Sequence, residues 1–362
     1  MYERLLTKPD GRQLALYSRR PIPEGLVART PRPEPVGANP HLRWHPLRHE
    51  WVAYAAYRQT RTFLPPPEYN PLLATDDPAN PTELPAGDYD VAVFDNLFPA
   101  LSLTAHDPPE APVPTEPARG HCEVVVFTRD PTSALGRLPT DHVALLLEVW
   151  GRRTRAISER GPHLRYVLPF ENRGAEVGVT LHHPHGQIYA YPFVPPIPKR
   201  MHDIELTHHR DTGQPLLEGL IDRELRDPQR VLYASDHAVA FVPPWARYPY
   251  EVWVAPRRRV PGFAELDDVT RLELARALLT VLRKYDGLWG SPFPYVMAWY
   301  QAPLEAGYAS ACHLHAELYP PYRMQGRLKY LAGTEIAAGL FANDALPEAK
   351  AAELQAVAVQ LD

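Results

Sequence analysis

The decapeptide His182-His-Pro-His-Gly-Gln-Ile-Tyr-Ala-Tyr191 gathers three imidazoles and a carboxamide into six residues. Pro184 cannot donate to a ladder and pushes His183 towards extended geometry. Ile188, Tyr189 and Tyr191 are strand formers, so the segment is expected to be a β-strand. Alternation then puts His183, His185 and Gln187 on one face and His182 on the other. Gly186 is expected to leave the backbone beside His185 open to a ligand. A neutral imidazole attacks phosphorus well once its second nitrogen donates to a fixed acceptor, and the carbonyl of His183 lies two residues back. Gln187 can donate an amide N–H to a phosphoryl oxygen but has no proton for a poor leaving group. The pattern suits a leaving group that departs as a phosphate. Two other readings stand beside it. One is a buried polar strand; the other is a metal pair, although no cysteine or neighbouring carboxylate completes a tetrahedral set in sequence.

The elements that must hold this strand occur twice. In the first copy a strand at His121–Phe127 precedes a helical pattern over Thr140–Arg160, with Leu145, Leu146, Val149 and Trp150 on one stripe. A strand at Leu164–Phe170 follows, then the His-Pro-His strand. The second copy has strand Tyr250–Ala255, helix Asp267–Lys284, strand Tyr295–Tyr300 and closes on His313-Leu-His315-Ala-Glu317. Glu123 to His185 spans 62 residues and Glu251 to His315 spans 64, so the register holds. The fold class read from this is α+β: two antiparallel-sheet units, each with a packed helix, preceded by a β segment at residues 40–57 and 89–104. Residues 1–195 and 196–362 form the two halves.

Composition is that of a globular chain. Of 362 residues, 45% are hydrophobic and 22% charged, and the net charge of −5 offers no basic field for nucleic acid or an anionic membrane. No apolar run approaches ~20 residues and the N-terminus has no signal-peptide core, so a cytoplasmic location is expected. The two cysteines, Cys122 and Cys312, give no disulfide framework. Forty-three prolines concentrate between the periodic segments, which reads as long ordered loops over a site. His208, His209 and the run Arg257–Arg259 read as solvated surface.

His183-Pro-His-Gly-Gln187, set behind Phe170-Glu-Asn-Arg-Gly-Ala175 and Gly178-Val-Thr180, resembles the galactose-1-phosphate uridylyltransferase family, the transferase branch of the histidine-triad superfamily. Trp44-His-Pro-Leu47, Arg58-Gln-Thr-Arg61, Phe94–Leu101, Leu314–Pro321 and Lys329–Glu335 extend the likeness over about residues 40–345. The resemblance implies duplicated histidine-triad-like units on an antiparallel half-barrel sheet with packed helices. It implies a ping-pong reaction in which His185 takes the uridylyl group from UDP-glucose and passes it to a hexose 1-phosphate, galactose 1-phosphate. Gln187 would hold phosphoryl oxygens, with His183 beside the nucleophile, and Arg58 and Arg61 would neutralise phosphate. Asn96 and Phe98 would meet the uridine, Asn172, Gly178 and Thr180 would line the nucleotide pocket, and Lys329 and Glu335 would face the hexose. A homodimer with its sites at the interface is implied as well.

The chain departs from the family pattern in places. Tyr69-Asn-Pro-Leu-Leu73 stands where members carry a Cys-x-x-Cys pair, and Pro131 stands near a histidine ligand. Of that zinc set only His183 remains, so no structural zinc is expected. Met201, Tyr300 and Glu317 replace ligands of a second site, where His202, His315 and Glu317 form the alternative set. No cofactor is needed at phosphorus, and packing or the proline-rich loops are expected to replace the metals. Leu97 occupies a position where an acidic residue often meets ribose, a role open to Asp95. Thr334 and Phe341 replace more polar residues near the hexose. These departures leave two alternatives: a transferase or phosphorylase for a different nucleotide sugar, or a nucleotide-sugar-binding protein without turnover.

Overall fold

The computed structural model describes residues 1–32, 34, 37–60 and 69–362. The chain opens with a hairpin, β1 (Tyr2–Thr7) and β2 (Gln13–Ser18), that the sequence reading had not placed. Strands β3 (His41–His45), β4 (Glu50–Tyr54) and β6 (Thr115–Pro117) form a small separate sheet, while β5 (Val91–Asp95) joins the main one. Next come β7 (His121–Val126), helix α1 (Thr140–Arg160), β8 (Tyr166–Arg173) and β9 (His185–Tyr191). Helices α2 (Pro196–Thr212) and α3 (Leu216–Arg226) cross to β10 (Val231–Ala234), β11 (Ala238–Phe241) and β12 (Val252–Pro256). Helix α4 (Asp268–Leu288), β13 (Tyr295–Tyr300), β14 (His315–Tyr319), the hairpin β15 (Tyr322–Met324) and β16 (Arg327–Leu328), and α5 (Pro347–Gln355) complete the chain.

Eleven strands make one antiparallel sheet in the order β1-β2-β5-β7-β9-β8-β13-β14-β12-β11-β10. Outward from the central β8–β13 pair, β9 matches β14, β7 matches β12 and β5 matches β11. The repeat read in sequence is thus a two-fold repeat in space. Asp267 caps α4 by accepting from the Thr270 amide at 2.7 Å, and α1 and α4 lay their apolar faces on the sheet. Trp150 of α1 meets Phe127, Phe263 and Trp299 within 5.5–6.3 Å, so one aromatic core serves both halves. Among the described residues no helix is long and apolar enough to cross a membrane.

Candidate active site

His185 opens β9, while His183 and Pro184 precede the strand. The Nδ1 of His185 lies 2.8 Å from the carbonyl oxygen of His183. A carbonyl only accepts, so Nδ1 carries the proton and Nε2 presents its lone pair. That lone pair has no partner among the described residues. Burial pushes the His185 pKa below its usual 6.5, against the pull of the His183 carbonyl, which keeps the ring neutral at physiological pH. The kcat/KM of the first chemical step is therefore expected to be flat through neutral pH. It should fall about tenfold per unit only below 6.5; an acid limb at or above 6.5 would refute the depressed nucleophile.

His183 is fixed from both sides. Its Nε2 donates to the Thr128 carbonyl at 2.7 Å, and its Nδ1 accepts from the Asn70 amide at 3.0 Å. Asn70 is itself oriented, because its Oδ1 accepts from the Leu72 amide at 3.0 Å. No ring nitrogen of His183 remains for a metal. Asn70 stands in the stretch where a cysteine pair was missing, so a carboxamide holds His183 here.

A cavity of about 390 Å³ brings together His185, Gln187, Arg58, Asn96, Phe98 and Thr180. The Gln187 amide makes no hydrogen bond to the described residues and faces this space. Arg58 donates to the Phe98 carbonyl at 2.8 Å and to the Tyr189 hydroxyl at 3.2 Å, which sets its guanidinium against the pocket wall. Asn96 uses its Oδ1 to accept from the Phe98 amide at 2.8 Å, leaving its N–H groups for a ligand. Gly178 ends the turn before Thr180 with φ +78°, a left-handed conformation that favours glycine. His185 also lines a second cavity of about 220 Å³, with His183, Asn172, Ser133, Arg137 and Glu171. Glu171, which sequence reading passed over, is buried and accepts from Tyr295 at 2.8 Å; burial lifts its pKa to about 7. Arg61 lies outside the described residues.

Two expectations need correction. Gly186 does not open the backbone to a ligand: a Cβ there would sit 2.8 Å from both the Phe127 ring and the Phe170 carbonyl. Its smallness serves packing, so Gly186→Ala should cost about 1–3 kcal/mol. A thermal melt indistinguishable from the parent would contradict that. Asp95 does not reach the nucleotide cavity, since its carboxylate accepts from the Gln13 amide at 3.0 Å and faces His121 at 3.3 Å. Lys329 and Glu335 are not on either cavity wall. Lys329 donates to the Ala342 carbonyl, and Glu335 accepts from the amides of Ala332 and Ala342, so together they brace the 329–342 loop.

The alternative set His202, His315 and Glu317 does not come together either. His315 gives Nδ1 to the His313 carbonyl at 2.8 Å and Nε2 to Glu317 at 3.3 Å. Among the described residues two other groups place three donor atoms within 4.8 Å of one another: His202, Glu205 and Cys312, and Asp95, His121 and Glu123. In the first, His202 spends Nδ1 on Glu205 at 2.9 Å and Nε2 on Tyr166 at 3.3 Å. In the second, burial opposes the imidazolium of His121, but Asp95 and Glu123 hold its pKa at about 9, and a protonated ring is no ligand.

The second half repeats the hydrogen bonding of the first. His313 donates to the Pro256 carbonyl at 2.9 Å as His183 does to Thr128, and His315 faces the His313 carbonyl as His185 faces that of His183. The sheet is thus duplicated, with a His-x-His element at matching strands, and only the first copy opens its second histidine to the cavity with Gln187 and Arg58. The family model for galactose-1-phosphate uridyl transferase, N-terminal domain, matches residues 33–195, and that for its C-terminal domain matches residues 201–361. The chain belongs to the galactose-1-phosphate uridylyltransferase family. It is 37% identical to the enzyme of that name from Thermotoga maritima, over 88% of this chain and 99% of the relative. It is 33% identical to the one from Rattus norvegicus, over 87% of each. A solved uridylyltransferase superposes with a TM-score of 0.76 at 31% identity, covering 88% of this chain and 98% of the other.

Proposed function

We propose that this enzyme moves a uridylyl group from UDP-glucose to galactose 1-phosphate through a covalent intermediate on His185. The carrying observation is the oriented, neutral imidazole with a free Nε2 in one cavity with Gln187 and Arg58. Nε2 bonds to the α-phosphorus, the bond to the bridging oxygen breaks, and glucose 1-phosphate leaves with the electron pair. The imidazolium so formed keeps its Nδ1–H on the His183 carbonyl. Galactose 1-phosphate then attacks the same phosphorus through a phosphate oxygen, the P–N bond breaks, and Nε2 regains its lone pair. Gln187 and Thr180 donate to the non-bridging oxygens while Arg58 and Arg61 balance charge. Asn96 and Phe98 take the nucleoside, Asn172 meets the substrate from the second cavity beside His185, and Gly178 sets the turn that delivers Thr180 to the nucleotide wall. No step moves a proton to the leaving group, and none needs a metal.

Residues 1–195 act as the catalytic half and 196–362 as its degenerate twin. Lys329 and Glu335 reach a hexose only from a second copy of the chain. The exposed apolar residues of their loop, Tyr330, Ile336 and Leu340 at 77%, 65% and 68% exposure, support such a homodimer. Two free, buried cysteines and the nucleotide-sugar substrates support a cytoplasmic enzyme without nucleic-acid or membrane partners. Leu97 on the cavity wall favours a second reading, a related transferase or phosphorylase for another nucleotide sugar.

Incubation of chelator-treated protein with uracil-labelled UDP-glucose decides. Near-stoichiometric label on the protein with an equal yield of glucose 1-phosphate is expected. An adduct only with another nucleotide sugar would establish the second reading, an adduct only after zinc is restored would sink the metal-free mechanism, and none with any donor would leave a binding protein.

A further inference from the structure

Residues 1–32 precede the segments that match the family, yet Pro31 and Arg32 line the nucleotide cavity, and Lys8 and Arg12 hold Glu83 on its wall. The hairpin β1–β2 pairs with β5 through Leu14–Tyr17 against Val91–Phe94. Its turn sends Lys8 and Arg12 under Phe94, with the Lys8 ammonium 4.3 Å from the ring centroid. Both cations close on one carboxylate. Arg12 donates to the two oxygens of Glu83 at 3.1 and 2.9 Å, and Lys8 donates to its carboxylate and, at 2.7 Å, to its backbone carbonyl. Asp10 accepts from Arg12 at 2.7 Å, and Thr30 accepts from the same guanidinium at 2.9 Å. All five side chains are buried, and Glu83 alone of them lines the cavity. Arg32, from the same segment, lies over the Phe98 ring at 5.5 Å and also faces the cavity.

An acidic group in a cavity built for phosphates repels them unless it sits away from them and is neutralised. Here Lys8 and Arg12 are matched by Asp10 and Glu83, so the cluster carries no net charge. What Glu83 can still take is a neutral donor, because Oε1 is spent only on Arg12. Phe94 of β5 faces Val124 of β7, which faces Gln187 of β9, so Phe94 and Gln187 lie about 10 Å apart across the sheet. That is the reach from an α-phosphorus to its nucleoside. Leu97 cannot accept a hydrogen bond, and Asp95 faces elsewhere.

Resting on the uridylyl-transfer reading, we propose that Glu83, positioned by Lys8 and Arg12 of the N-terminal hairpin, is a specificity-determining acceptor for a neutral donor of the nucleoside, a ribose hydroxyl or the imide N–H of uracil. The test is a ratio that general damage does not move. UDP-glucose, its 2′-deoxy analogue, its 3′-deoxy analogue and its N3-methyl analogue are compared as uridylyl donors in the parent and in Glu83→Gln. The parent should lose roughly 10- to 100-fold in kcat/KM with the analogue that lacks the recognised donor. In Glu83→Gln that penalty should shrink to a few-fold, and which analogue responds separates sugar from base. Arg12→Lys, should the first variant fail to fold, should raise KM for UDP-glucose with kcat unchanged and blunt the same penalty. Absence of any penalty in the parent, or one that survives in the variants, overturns the role of Glu83 while the uridylyl adduct still forms. Absence of the adduct in the parent overturns instead the reading beneath it.

Discussion

His185→Gly is expected to abolish both half-reactions, with turnover down by about 10⁴-fold or more, while the fold stays intact. Truncation removes the Nε2 that, among the described residues, stands ready to bond phosphorus. It costs one hydrogen bond, from Nδ1 to the His183 carbonyl, because His183 keeps its own bonds to Thr128 and Asn70. The matching substitution in the other half should behave in the opposite way. His315 is buried between the rings of Trp253 and Tyr300, at 5.0 and 5.4 Å, and its Nε2 is held by Glu317. Burial opposes its charged form, but Glu317 outweighs that and raises its pKa, and both ring nitrogens of His315 face acceptors where His185 leaves one lone pair open. Glu317 is in turn bound by Arg247 at 2.8 Å. His315→Gly should therefore lower stability by about 2–4 kcal/mol, through the lost ring and the freed carboxylate, and spare the label on His185. The measurement is stoichiometry of label beside a thermal melt for each variant. Retained turnover in His185→Gly, or loss of label in folded His315→Gly, would reverse the assignment of roles between the halves.

What the sequence made legible follows from which contacts are local. Helix α1 is bounded at Thr140 and Arg160 as its periodicity predicts, and the His183 carbonyl was available as the acceptor because it lies two residues from His185. The uridylyltransferase resemblance was carried by motifs spread along the chain, and the family matches uphold it. Helix α2 was missed because Pro195, Pro196 and Pro198 read as loop. Proline at the first helical position is favourable, and only Pro198, His202 and Glu205 of this helix are buried, so it has no apolar stripe to detect. The β1–β2 hairpin did carry a signal, Asp10-Gly11 between alternating residues, with Gly11 at φ +85°. Asn70 and Glu83 could not be read. Asn70 meets His183 across 113 positions, and Glu83 meets Arg12 across 71, so only the folded sheet supplies these partners. Gly186 was misread for the same reason, since the groups that forbid a side chain there come from β8 and from Phe127, just beyond β7.

Arg153→Met is expected to be among the most destabilising single changes in the chain, at about 3–5 kcal/mol. Arg153 reaches from α1 to grip both oxygens of Glu123 on β7, one strand from the nucleophile, and the carboxylate is 1% exposed. Burial would raise the Glu123 pKa, but Arg153 and His121 overcome it and hold it at about 2. Without the guanidinium, a charge remains in the core with only His121 to oppose it, at 3.0 Å. Replacing both charges should recover most of the loss, because a buried pair exchanged for neutral groups of similar volume is close to neutral. Arg153→Met with Glu123→Gln should therefore melt well above Arg153→Met alone. The pH dependence of the parent has a definite sign. The depressed Glu123 contributes stability that is present above 4.5 and lost as pH falls through about 2. The raised His121 contributes stability that is complete below 6.5 and lost as pH rises through about 9. The network is thus at full strength between 4.5 and 6.5. In Arg153→Met, burial no longer meets its main opponent, so the deficit should shrink as pH falls from 8 towards 5. A double variant that melts no higher than the single one would show that Arg153 stabilises by filling space and not by its charge.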